Sequence, residues 1–171
     1  MTRIGILLIA VLFPSLALAD STRCVSVAPT IDTAAYATGD VMGTELAFSN
    51  ILKDSTKAGY VTSAVISDAA DQAIDLELVI FDQDPAAFGS DNAAFDPTDA
   101  DIKKIRGRVL LEAADHLSTF NDNAVLARDS ISIAVGGHGS AVRTLYVALV
   151  ARGAYDGDAD SLQVTLCVSQ D

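Results

Sequence analysis

Ile74-Asp75-Leu76-Glu77-Leu78-Val79-Ile80-Phe81 places Ile74, Leu76, Leu78 and Ile80 on one face of an extended chain, while Asp75 and Glu77 begin the other. A period of two over eight residues is the signature of a β-strand and is incompatible with a helix, whose apolar positions recur every three to four residues. The same alternation runs through Thr44–Phe48, Tyr60–Ile66, Ile131–Val135 and Leu145–Ala151. With the terminal segments around Val25 and Val164 and a run at Ile105–Leu111, about eight strands are expected. The segments between them are rich in turn formers: Thr38-Gly39-Asp40, Ser55 to Gly59, Gly136 to Ser140 and Asp156-Gly157-Asp158. Short strands joined by such turns, without repeated long helices, predict an all-β, antiparallel β-sandwich of jelly-roll type.

One excursion interrupts the pattern. Residues 82–104 form a long acidic loop in which Thr98 is placed to cap a short helix running to Lys104. A loop of this length is either a binding element, with Phe88 and Phe95 as contacts, or a lid over one end of the sandwich with both rings tucked into the core. The lid is preferred, because exposed phenylalanine is unfavourable in water.

The first nineteen residues differ from the rest. Arg3 is their only charge, an apolar run extends from Ile4 to Phe13, and Ala17-Leu18-Ala19 offers small residues before Asp20. This is the pattern of a secretory signal peptide. The alternative is an uncleaved hydrophobic N-terminal arm packed on a partner. Residues 20–171 then supply one sandwich domain, since half of the chain's residues are apolar and the length suits one core.

Cys24 and Cys167 are the only cysteines, and each falls on the polar phase of its terminal strand. An even, sparse pair in an exported chain points to one disulfide, provided the two strands lie side by side. Closing so long a loop stabilises by an amount on the order of 3 to 5 kcal/mol. Two unrelated reduced thiols are the other reading.

With 23 acidic and 11 basic residues the chain carries a net charge of −12, so it repels nucleic acid. Its two histidines, His116 and His138, lie in no nucleophile, zinc or catalytic-cysteine pattern. The glycines from Gly136 to Gly139 lack the Lys-Ser/Thr of a phosphate loop. Carbohydrate-cleaving enzymes hold sugars on aromatic platforms in a cleft, and this chain has no Trp. No enzymatic activity, catalytic substrate or cofactor is therefore expected. The exception to the missing chemistry is Asp156, Asp158 and Asp160, whose alternate carboxylates make a candidate calcium site. That run departs from the EF-hand pattern, with Ser161 at the turn-glycine position and Cys167 at the position of the bidentate Glu.

Several strings resemble, in combination, a class of tailed-bacteriophage virion proteins. They are Tyr36-Ala37-Thr38-Gly39-Asp40-Val41 with Leu46 to Asn50, Leu78 to Asp82 followed by Pro85, Asp91 to Phe95 with Asp99-Ala100-Asp101, and Arg143 to Gly153 with the closing Gln170-Asp171. The resemblance spans most of the chain from about Pro29 and includes no catalytic signature. It implies a head decoration or cement protein bound to the outside of a capsid, with the major capsid protein or other virion subunits as partners and a homo-oligomer, often a trimer, as its form. The leader departs from that pattern, because phage heads assemble in the cytoplasm. An exported periplasmic or extracellular binding module is the competing reading.

Overall fold

The computed structural model describes residues 21–54, 56–72, 74–115, 123–136, 143–157 and 161–170. Its strands are β1 (Ser21–Val27), β2 (Leu46–Phe48), β3 (Ala58–Asp68), β4 (Leu76–Phe81), β5 (Ile105–Leu111), β6 (Ala124–Gly136), β7 (Leu145–Ala151) and β8 (Leu162–Gln170). One helix, α1 (Asp99–Ile102), and a 3-10 turn at Ala113–Asp115 complete the regular elements. The eight strands form two four-stranded antiparallel sheets, ordered β1-β8-β3-β6 and β2-β7-β4-β5.

The pairing is nested. β4 pairs with β5, β3 with β6, β2 with β7 and β1 with β8, as in one long hairpin whose two arms are then wrapped into facing sheets. Pairs β3–β8 and β4–β7 close each sheet. Such a path is a jelly roll, and it makes the two ends of the described chain neighbours.

The main core fills the space between the sheets. β8 shows why: Leu162, Val164, Leu166 and Val168 are buried, while Gln163, Thr165, Cys167 and Ser169 face outward. Ile66 from β3, Leu126 from β6, and Leu78 and Leu149 from the opposite sheet meet them there. At roughly 25 cal/mol per Å² of apolar surface removed from water, this interior is the main source of stability. β6 is much longer than the alternation at 131–135 suggests. Its first half carries Arg128-Asp129-Ser130, which breaks the periodicity, and the strand absorbs the break as a bulge. The register shifts between Val61 and Ser63 on β3, and Ser130 has a positive φ of 60°.

β4 departs from the half-exposed strand that its sequence suggests. All six of its residues are buried: on the outer face the long loop covers Val79 and Phe81, and Arg152 and Arg108 lie over Glu77. The expected lid over one end of the sandwich is therefore corrected to a cover over the β2-β7-β4-β5 sheet. Beneath it Val41, Val79, Phe81, Phe88, Ala148 and Val150 form a second apolar cluster. The face of the β1-β8-β3-β6 sheet has no such cover among the described residues.

Candidate interaction surface

The loop at 82–104 is held from inside. Phe88 stacks on Phe81 with ring centroids 5.8 Å apart, and Phe95 packs on Phe88 at 6.1 Å. Phe88 is only 5% exposed, so of the two readings of this loop the ring follows the preferred one, tucked in, and its area goes into the cluster and not to a contact. Phe95 is half-buried against the same cluster. Gly89, at φ +123°, allows the close approach, since a Cβ there would lie 2.8 Å from the Ala94 carbonyl oxygen.

The polar anchor of the loop is Asp101, fully buried in α1. Its carboxylate accepts from the Ala86 and Ala87 amides at 2.9 and 3.2 Å, from the Thr98 hydroxyl at 2.6 Å and from Lys104 Nζ at 2.8 Å. These donors, Lys104 foremost, hold the carboxyl well below the usual carboxylate range. Thr98 caps the helix as the sequence predicts, accepting from the Asp101 amide.

Other ionisable groups are engaged in the same way. Tyr36 donates to Asp91 at 2.7 Å, and Tyr155 donates to Asp68 at 2.9 Å, with the two rings 6.4 Å apart. Burial, more than the neighbouring carboxylates, pushes both phenols up. Glu77 is paired with Arg152 and, at 3.1 Å, with Arg108. Glu45 is pushed up to about 7 by burial and then by the Asp84 carboxylate, with Lys104 pulling the other way. A hollow of about 390 Å³ at one end is bordered by Asp68, Asn123, Ser161 and Gln163. The Asp68 carboxylate beside it already accepts from Tyr155 and from the Ala70 and Gln72 amides.

Of the candidate calcium ligands, Asp156 is exposed directly after Tyr155, and Asp158 and Asp160 lie outside the described residues. His116 and His138 lie outside them too. Among the described residues no group of three or more His, Cys, Asp or Glu is arranged to hold a metal ion. Cys24 and Cys167 form a disulfide, directly opposite each other in the β1–β8 ladder with Cα atoms 4.0 Å apart. This is the side-by-side arrangement that pairing required.

The disulfide belongs to the most distinctive surface of the molecule. Reading across β1, β8, β3 and β6, the outward side chains form three rows: Thr22-Ser169-Tyr60-Ala134, Cys24-Cys167-Ser63-Asp129 and Ser26-Thr165-Val65-Ala127. Asp129, on the edge strand, is the one charge in these rows. The Ser26 and Thr165 hydroxyls bond each other at 2.7 Å, and Tyr60 stands 52% exposed. In a chain of net charge −12 this is a nearly neutral, small-residue face.

No family model and no curated protein matches this sequence. Among solved structures, the chain is similar to one titled Desmodium yellow mottle tymovirus, at 11% identity, covering 99% of this chain and 95% of that one with a TM-score of 0.28. A superposition that loose carries no argument about function.

Proposed function

We propose that this chain is a non-catalytic structural module of a phage virion, bound to the outside of the capsid and reinforcing the lattice by bridging subunits. The observation that carries the reading is the contrast between the two sheets. One has part of its outer face covered by the 82–104 loop, with Phe88 and Asp101 drawn into the fold, and the other has, among the described residues, a nearly uncharged face without such a cover. Assembly contacts need area and repetition and no reactive residue. The resemblance of several strings to phage virion proteins supplies the setting. The jelly-roll path agrees with that setting without choosing it, since lectin domains and cupins use the same path.

Mixing the purified full chain with capsids that lack it, then pelleting the particles, tests the role. Saturable co-pelleting, together with a raised disruption temperature of the particles, is the expected outcome. A chain that stays in the supernatant at saturating concentration removes the role.

The disulfide favours a second reading, an exported β-sandwich binding module of the periplasm or medium, because disulfides persist in oxidising compartments. Intact-mass analysis separates the two. A mature chain beginning at Asp20 in a periplasmic fraction supports export, and a full-length chain on particles supports the virion role.

A further inference from the structure

We infer that the open face of the β1-β8-β3-β6 sheet pairs with the same face of a second copy of this chain, giving a two-fold dimer. The inference rests on the reading above that this face makes an assembly contact, and it assigns that contact to a second copy of the chain, so that the capsid is met by the other surfaces of the pair.

Charge argues first for a second copy. Two chains of net charge −12 repel wherever their acidic loops meet, and at physiological salt that repulsion is felt over about 8 Å. The open face is where two copies approach with little such cost. A two-fold axis running along the strands lays β6 of one copy over β1 of the other, so each Asp129 meets the Thr22–Ser26 edge and not a second carboxylate. An unlike partner selected by charge would instead be basic and would seek the acidic surfaces, which lie elsewhere.

Shape and area argue second. Four strands at about 4.8 Å spacing and about 3.4 Å per residue make a face of roughly 20 by 25 Å, or about 500 Å² per copy. A pair covers about 1,000 Å², the lower limit of a specific interface. The side chains are short, so two such sheets can stack at about the 10 Å spacing of a β-sandwich. Tyr60 supplies an exposed aromatic anchor, and the disulfide ties the edge strand to its neighbour, so little ordering remains to be done on association. A face that is its own complement gives a two-fold pair and not the three-fold ring implied by the phage resemblance.

Sedimentation equilibrium of the full chain tests this, with Val65→Glu at the centre of the face, Ser67→Glu at an exposed position on it, and Lys103→Glu on the opposite side as control. A concentration-dependent dimer is expected, tightened by added salt. Each face variant should weaken it by about 100-fold, since it brings like charges together across the interface, while the control leaves it unchanged. Thermal melts of Ser67→Glu keep the test valid where Val65→Glu fails to fold. A monomer at every concentration overturns the inference, as does a dimer indifferent to both face variants. Capsid pelleting is read separately. A monomer that pellets with particles overturns the pairing and leaves the virion role standing, whereas a face-dependent dimer that never pellets upholds the pairing and removes that role.

Discussion

Replacing both cysteines, Cys24→Ala with Cys167→Ala, should destabilise the protein without changing its fold. The disulfide closes a loop with a sequence separation of 143, and chain entropy for a loop of that size amounts to about 5 kcal/mol at room temperature. The native strands do not depend on the link: β1 and β8 pair over seven positions, from Ser21 with Gln170 to Val27 with Val164, and Val25 and Val27 pack against the core. The loss therefore falls mainly on the unfolded ensemble, which gains freedom when the link is cut. With a urea dependence of about 2 kcal/mol per molar, the midpoint of unfolding should fall by about 2.5 M. Urea titration followed by circular dichroism measures it, with the folded β-signal in water as control. A midpoint shift under about 0.5 M, with an unchanged slope, would refute the reasoning. So would loss of the β-signal in water, which would mean that the disulfide creates the β1–β8 pairing and does not merely lock it.

Three further outcomes follow from local geometry. Gly107→Ala on β5 should cost about 1 to 3 kcal/mol in chemical denaturation, because a Cβ there would sit 2.8 to 3.0 Å from three carbons of Ile133. Phe88→Ala should cost about 3 kcal/mol or more and open the 82–104 loop to limited proteolysis, and equal protease resistance in variant and wild type would contradict the cover described for the second sheet. Glu45→Gln should flatten the pH dependence of stability. The fold keeps this carboxyl protonated up to about pH 7, whereas the unfolded chain ionises it near pH 4.5, so its stabilising contribution is complete below pH 4.5 and is lost as pH rises to about 7. The wild type should lose about 1 to 3 kcal/mol over that window and the variant should not, as melting temperatures at a series of pH values will show.

How far the sequence foretells this structure depends on the range of the interaction. The alternation at 74–81 identifies β4, and the polar phase of Cys24 and Cys167 foretells their bridge, because both are written in neighbouring residues. That both faces of β4 are buried is not visible there, since the cover comes from Phe88 and Phe95 over Val79 and Phe81 and from Arg152 and Arg108 over Glu77, and nothing local says which surface those side chains will find. Asp101 is legible in the sequence only as part of the short helix that Thr98 caps. Its burial depends on amides at 86 and 87 that the chain brings back from 15 and 14 residues away. The first half of β6 is hidden by Arg128-Asp129-Ser130, a break in period that the bulge accommodates. The neutral face is the least legible feature. Its rows take one residue each from four strands distant in sequence, so its composition emerges only once the nested pairing is known.

The central claim, a surface-acting module of a virion, is tested most directly by the stoichiometry of the chain in purified particles, measured by quantitative mass spectrometry against the major capsid subunit. The account predicts full-length chain present at a fixed, reproducible ratio to that subunit and retained through washing. Particles that lack the chain, or carry it only in traces that vary between preparations, would contradict it.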